Sequence, residues 1–363
     1  MNRFDRARSI LNDGVRMKAF PAAVIEVGTA DTVLWHEAFG HCTYDTDTPA
    51  TDSETIFDLA SLTKVIATTT LLMGLQEASK IHTNEQVSLR LSRWTNNDRS
   101  AVTISDLMDH SSGLLAHEPL YHTCAGRKEF EEAICDLPLE YAPRSQSIYS
   151  DLGFILLGFL IEDVGGQSLA DQFMAFTKRA DLNDLRYDPP DTWRSRIAPS
   201  GFSQWRNRLL HAEVNDDNAW ALGSAAGHSG LFGSATAVGK FARLMLQGYE
   251  SETVFGRTET VRAFTTRSGV PNSSRALGWD RMLPTSSCGT RMSPSSIGHT
   301  GFTGTSLWID PAIDLYIVLL ANRLYPTTNN AHTAIQTIRP LLHDAVIEDW
   351  LTESSRNHGT HNS

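Results

Sequence analysis

Residues 58–67, Asp58-Leu59-Ala60-Ser61-Leu62-Thr63-Lys64-Val65-Ile66-Ala67 (DLASLTKVIA), set a serine and a lysine three positions apart in a run that otherwise reads as core. Side chains three apart share a helix face, so the hydroxyl and the amine can meet. If Ser61 begins the helix, its own N–H has no intrahelical partner and can stabilise an oxyanion. A lysine buried there loses hydration of its charge, which lowers its pKa and lets it act as a base. The competing reading is structural, with a capping serine and a lysine that snorkels to solvent.

Working outward, AAVIEVGTADTVLWHEAFG (22–40) has two β-rich runs around Gly28-Thr29-Ala30-Asp31 and predicts an N-terminal hairpin. After Ser61, the positions Leu62, Val65, Ile66, Leu72 and Met73 follow helical spacing. The Val-Ile-Ala-Thr-Thr-Thr run has weak helix propensity, so burial must hold this helix. VTISDLMDHSSGL (102–114) has a Thr103/Asp106 start signal and a stop at Gly113. DLGFILLGFLIEDVGG (151–166) reads as a buried helix closed by Gly165-Gly166, with Ser168 capping the next one. A loop-rich stretch from about Arg186 to Gly230 precedes the amphipathic GKFARLMLQG, and GTSLWIDPAIDLYIVLLANR (304–323) gives two strands turning at Asp310-Pro311. The fold class expected is therefore α+β, with an antiparallel sheet flanked by helices and a mainly helical lobe. Residues 1–58 and 231–350 would form the sheet lobe and 59–230 the helical one, with 351–363 a disordered tail.

The 363 residues carry 41% hydrophobic and 20% charged side chains, enough for a sizeable core, and a net charge of -11 that argues against a nucleic-acid partner. The N-terminal residues break every apolar run with a charge, which excludes a signal-peptide core, and no window is apolar enough to span a bilayer. Cys42, Cys124, Cys135 and Cys288 form no CxxC pair. A cytoplasmic protein with reduced thiols fits these features, with a trimmed mature form as the alternative. The thirteen histidines include no H-E-x-x-H or close Cys/His set, so neither a metal nor any other cofactor is expected.

Two further motifs bear on Ser61 and Lys64. QSIYSDLGFILLG (146–158) places Tyr149 directly before a buried helix. A lone tyrosine there is usually a packed ring, but beside a Ser/Lys pair its phenol can relay a proton. SIGHTGFTGTSLWID (296–310) places His299-Thr300-Gly301 at a strand mouth, either as a plain glycine-rich loop or as a strand edge whose N–H completes an oxyanion hole.

Together, Ser61-Leu62-Thr63-Lys64, Tyr149-Ser150-Asp151 and His299-Thr300-Gly301 resemble the S-x-x-K, Y-x-N and K-T-G signatures of the serine β-lactamase and penicillin-binding protein superfamily. The resemblance runs from about residue 15 to 350 and is nearest to the class C β-lactamase-like branch. LMDHSSGL (107–114) resembles a segment common after the S-x-x-K helix of that branch. The resemblance implies Ser61 as acylated nucleophile, Lys64 as its base, Tyr149 as proton shuttle, and the N–H groups of Ser61 and Phe302 as oxyanion hole. Asp151 stands where Asn is usual, and as a carboxylate it only accepts hydrogen bonds; through Lys64 it would raise that lysine's pKa. His299 stands where a lysine binds the substrate carboxylate, and a neutral imidazole is the weaker anchor. Both changes predict poor β-lactam hydrolysis.

HAEVNDDNAWALGSAAGHSGLF (211–232) narrows the likeness to bacterial serine hydrolases that include N-acetylmuramoyl-L-alanine amidases and D-Ala-D-Ala carboxypeptidases. That likeness makes Asp216, Asn218 and His228 candidates for the substrate pocket beside Asp151, His299, Thr300 and Gly301. Loop scaffolding is the alternative for the first three. The expected partner is a small molecule or short peptide, a peptidoglycan-derived muropeptide fragment cleaved at an amide or ester bond. The alternatives are a carboxylesterase or D-Ala-D-Ala carboxypeptidase with weak β-lactamase activity on the same machinery, or a penicillin-recognising homologue that is acylated without turnover.

Overall fold

The computed structural model describes residues 3–45, 47–325 and 331–359. Helix α1 (Asp5–Arg16) leads into the hairpin β1 (Ala22–Gly28) and β2 (Val33–Gly40), then β3 (Ile56–Asp58). Helices α2 (Thr70–Glu77), α3 (Ile104–Met108), α4 (Gly126–Asp136), α5 (Asp151–Gly165) and α6 (Leu169–Ala180) make the helical middle. Short elements follow: β4 (Leu185–Tyr187), β5 (Gly201–Ser203), β6 (Arg208–Leu210), α7 (Asp217–Ala221) and β7 (Leu231–Ser234). The chain closes with α8 (Ala235–Gly248), α9 (Thr258–Thr265), β8 (Asp280–Arg281), β9 (Ile297–Thr300), β10 (Ser306–Asp310), β11 (Leu315–Ala321) and α10 (Ala331–Gly359).

The main sheet is antiparallel throughout, in the order β2-β1-β11-β10-β9-β8, so the first strands of the chain pair with the last. Alternation along β1 and β11 separates two cores. Val24, Tyr316, Val318 and Leu320 join α8 and the helical middle, whereas Ile25, Val27, Ile317 and Leu319 face α1 and α10. Because both faces are covered, β1 and β11 are buried along their whole length. The fold is α+β, as the pattern of elements predicts. A small sheet, β3-β7-β4, joins the Ser61 segment to the chain just after the loop-rich stretch. Among the described residues no single helix is long and apolar enough to cross a membrane.

Two expectations are corrected. Residues 351–359, assigned to a disordered tail, continue α10 instead. A helix already nucleated and packed adds a hydrogen bond for each residue it gains, so weak sequence preference does not end it. Residues 360–363 of that tail lie outside the described ones. After Ser61, Lys64–Thr69 winds as a π-helical turn before α2 rather than as plain α-helix. The threonines support it: Thr70 Oγ1 donates to the Val65 carbonyl five residues back, and Thr68 Oγ1 donates to the Gly227 carbonyl at 2.6 Å. Single π-turns of this kind recur at functional sites.

A carboxyl group lies inside the sheet. Glu26 on β1 is fully buried and accepts from the Tyr316 hydroxyl at 2.7 Å and from Arg243 Nη1 at 3.2 Å. Burial pushes its carboxyl up to about 7, against the pull of those two partners. A carboxyl whose folded pKa exceeds its unfolded value favours the neutral form, so stability is lost as pH rises from 4.5 to about 7. Glu26→Gln should therefore gain stability relative to the parent across that window, by about 3 kcal/mol at most. Urea denaturation on both sides of the window tests this, and a pH-independent difference would show that burial does not perturb the group.

Candidate active site

The Ser61 segment is a strand, a turn and a helix start. Strand β3 pairs with β7, and the turn follows at once, with Ala60 in the left-handed region at φ 47°. Non-glycine residues hold that conformation only when their surroundings fix it. Asp58 does so: its buried carboxylate accepts from the N–H of Ala60 at 2.8 Å and from the N–H of Asn215 at 2.6 Å. Burial pushes the Asp58 carboxyl up to about 6 despite these bonds.

Lys64 is fully buried on the π-turn. Its Nζ donates to Ser61 Oγ at 3.1 Å, to Asp151 Oδ1 at 2.8 Å and to the His228 carbonyl at 3.1 Å. Three acceptors match the three protons of an ammonium. Burial disfavours that charge, but the Asp151 carboxylate and then the Tyr149 phenol outweigh it, and the pKa is raised. The expectation that burial empties Lys64 of its proton is thus corrected, and the effect expected of Asp151 on that lysine prevails. Burial alone would raise Asp151 itself, and the charge of Lys64 instead holds it well below the usual carboxylate range.

Tyr149 precedes Ser150, whose side chain caps α5 by accepting from the Gly153 N–H. Asp151 is therefore the first residue of α5, where the helix dipole favours a carboxylate. The Tyr149 hydroxyl donates to Ser61 Oγ at 2.8 Å, and Lys64 Nζ lies 4.8 Å from the centre of its ring. Burial raises the phenol's pKa more than Lys64 lowers it, so Tyr149 rests neutral. The ring is flanked by His110, 4.7 Å away between centroids, and by His299 at 5.7 Å. His110 Nδ1 accepts from the Ser150 N–H, and His299 Nδ1 donates to the Thr300 carbonyl. Both imidazoles lie well below their ordinary pKa, first through burial and then through Arg275 and Lys64, and both stay neutral.

The loop after β9 is tied to the Ser61 segment by Thr303 Oγ1 to the Asp58 carbonyl and Thr305 Oγ1 to the Leu59 carbonyl, at 2.7 and 3.0 Å. Gly301 permits this contact, since a Cβ there would sit 2.6 Å from the Leu59 carbonyl oxygen and 2.1 Å from Thr305 Oγ1. Neither the Ser61 N–H nor the Phe302 N–H donates to a protein acceptor among the described residues.

Two cavities meet at Ser61, Tyr149 and Phe302. One, of about 290 Å³, is walled by Arg275, His299, Thr300, Gly301 and Arg323; the other, of about 450 Å³, by His117, Tyr121, Asp151, Asp216 and Asn218. Asp216 reaches the second cavity while capping α7 through the Ala219 N–H, but the Asn218 amide is committed to scaffolding, accepting from the Tyr121 N–H and donating to the Glu118 carbonyl. His228 does not line the cavity and is corrected: 1% exposed, it supports Lys64 with its carbonyl and Asp216 with Nε2 at 2.9 Å. Sequence reasoning missed Asp58, His110 and Arg275. An aspartate two residues before a turn signals an Asx-type bond, so Asp58 had a local cue. Arg275 reaches the site only through the fold. Among the described residues no cluster of three His, Cys, Asp or Glu side chains could hold a metal ion.

This arrangement offers a serine hydroxyl, a phenol to carry its proton, a fixed ammonium beside both and two N–H groups free to meet an anion. Such an arrangement suits acyl transfer through a serine. The Beta-lactamase family model matches residues 7–338, and the chain belongs to that family. It is 33% identical over 306 residues to "Putative D-alanyl-D-alanine carboxypeptidase" of Escherichia coli (strain K12), covering 74% of this chain and 69% of the relative. The protein of the same name in Salmonella typhimurium is 31% identical over 314 residues, 77% and 72% of the two chains. The fold is shared with "EstCE1, a hydrolase with promiscuous acyltransferase activity" at a TM-score of 0.75 and 18% identity, covering 94% and 97% of the two chains. It is shared also with a class C β-lactamase from Rhodobacter sphaeroides at 0.72 and 18%, over 96% and 99%. The chain is a serine hydrolase.

Two outcomes follow from the geometry. Ser61→Ala should abolish labelling by a fluorophosphonate while leaving the fold intact, since the side chain faces a cavity; undiminished labelling would remove Ser61 as nucleophile. Asp151→Asn should keep an acceptor for Lys64 but lose the charge, so burial dominates and the lysine's pKa falls below its ordinary value. An NMR titration of ¹³C-labelled lysine reads this directly, and a Lys64 that still titrates high would exclude Asp151 as the cause.

Proposed function

We propose that this hydrolase cleaves an amide bond in a peptidoglycan-derived peptide whose departing residue ends in a free carboxylate. One observation carries the reading. Arg275 lies on the wall of the first cavity, its guanidinium carbon 5.3 Å from the centre of the Tyr149 ring, and no carboxylate among the described residues pairs with it. Arg323 adds a second guanidinium, stacked on Phe302 at 4.7 Å. A cationic wall beside the proton-carrying phenol suits an anionic leaving part. It also supplies what the neutral His299 lacks. The names of the E. coli and Salmonella relatives support the same substrate class.

In this reading Ser61 Oγ attacks the acyl carbon and passes its proton to the Tyr149 oxygen as Tyr149 gives its own to the departing nitrogen. The C–N bond breaks, an acyl-enzyme and a free amine result, and the oxyanion formed on the way is met by the N–H groups of Ser61 and Phe302. Lys64 keeps its proton and steadies charge on the phenol and serine oxygens. Water then repeats the route in reverse through Tyr149 and releases the acid. Arg275→Gln should raise KM for a peptide with a free C-terminal carboxylate about 10–100-fold, the worth of one charge-assisted hydrogen bond, and much less for the same peptide amidated at its C-terminus. Equal effects on the two peptides would sink the carboxylate assignment.

A further inference from the structure

Three carboxylates stand on the wall of the second cavity, and each keeps one oxygen back from the protein. Asp151 gives Oδ1 to Lys64, Asp216 gives Oδ1 to the Ala219 N–H and to His228, and Asp217 gives Oδ1 to Ser203 and Arg206. Among the described residues no hydrogen bond reaches Oδ2 of Asp216 or Asp217, and Oδ2 of Asp151 has His117 Nδ1 at 3.6 Å. A second, independent sign is Ser229. It lies on the same wall, is 3% exposed, and its hydroxyl has no hydrogen-bond partner among the described residues. A buried hydroxyl left unpaired in a native protein calls for a partner from outside the chain.

Charge decides what the cavity takes. Lys64 and Arg206, the cations paired with Asp151 and Asp217, are buried beneath it, and Asp216 has only the imidazole of His228. Among the described residues no lysine or arginine lies on the wall itself, so three carboxylates stand against two cations. His117, the remaining basic group there, has its pKa raised by Asp151 foremost and by Asp216 further, against burial; the field favours positive charge. These carboxylates do not converge as metal ligands, since no such cluster occurs among the described residues. An ammonium suits the site better, with three N–H donors for the free oxygens and the Ser229 hydroxyl. Its place relative to the chemistry is fixed by Lys64, whose Nζ donates both to Ser61 Oγ at 3.1 Å and to Asp151 at 2.8 Å. We propose that this cavity is a subsite for a primary ammonium on the acyl part of the substrate, so that the bond cleaved lies beside a free amino group. The amine is either the amino terminus of the acyl residue or one on its side chain. This rests on the reading of Ser61 as the acylated nucleophile, but not on the carboxylate assigned to Arg275.

The test titrates the full chain carrying Ser61→Ala by calorimetry at neutral pH, so that binding is read without turnover and amines are largely protonated. One probe is D-alanyl-D-alanine, and a second is D-lactoyl-D-alanine, in which a hydroxyl replaces the ammonium at the same position. A third, N-acetyl-D-lysyl-D-alanine, carries its ammonium on the side chain instead. One of the two ammonium probes should bind at least about 10-fold tighter than the lactoyl one, and which of them does so identifies the source of the amine. Asp217→Asn should remove most of that preference, and Ser229→Ala reads the same site should the first variant not fold. A lactoyl probe that binds as tightly as both ammonium probes, or no measurable binding of either ammonium probe, overturns the proposal without any variant. A preference unchanged by both substitutions overturns it as well, because the ammonium is then held elsewhere. Preference for the ammonium together with equal Arg275→Gln effects on acid and amide peptides would leave this subsite standing and remove only the carboxylate.

Discussion

The ion pair between Lys64 and Asp151 fixes the geometry around it. A buried ammonium and a buried carboxylate each lose several kcal/mol of hydration, and their mutual attraction offsets this only when the remaining hydrogen bonds are satisfied as well. Here the remaining ammonium protons go to Ser61 and the His228 carbonyl. Three segments must therefore converge: the π-turn, the start of α5 and the loop at 227–229. Gly227 allows the third to approach, because a Cβ there would lie 2.0 Å from the Phe154 carbonyl oxygen of α5. Thr68 then ties the same loop to the π-turn. The site is thus stabilised by contacts that also join its segments, and a change in any of them reaches the others.

Local pattern carried much of this. The strand alternation of 22–40 and 304–323, the Thr103/Asp106 capping box and the Gly166 cap are short-range features, and each appears in the structure where the residues predicted it. The signatures at Ser61, Tyr149 and His299 were equally legible, and the fold brings them together. What was hidden is long-range. The protonation of Lys64 depends on a residue 87 positions away, so its own apolar neighbours alone point to the wrong sign, and only the acid at Asp151 points to the right one. His228 looked like a pocket residue by motif, but its burial depends on which way the loop turns over α5. Arg275 stands in no motif, and its only functional signal is an unpaired charge in a cavity.

The two arms of the cleft differ in electrostatic character. Guanidinium groups face the first cavity, with Asp280 the carboxylate beside them, whereas carboxylates line the second, where Asp151 and Asp217 pair with the buried Lys64 and Arg206. A molecule with negative charge at one end only has a lower energy in one direction than reversed. Orientation is in this way settled by the field of the cleft before any close contact with Ser61 forms.

Strand β1 finds its partner β11 near the far end of the chain, with Ala23 beside Ala321, and Arg339 of α10 donates to the carbonyls of Gly301 and Thr305 in the loop that meets Ser61. On the ribosome Ser61 therefore emerges long before the strand and helix that complete its surroundings. Contacts so distant in sequence form late, since the loop they close must be ordered first. A growing chain holds a serine without its oxyanion loop and a sheet without its middle strand. The surroundings of Ser61 are thus complete only when the strand at 315–321 and Arg339 are in place.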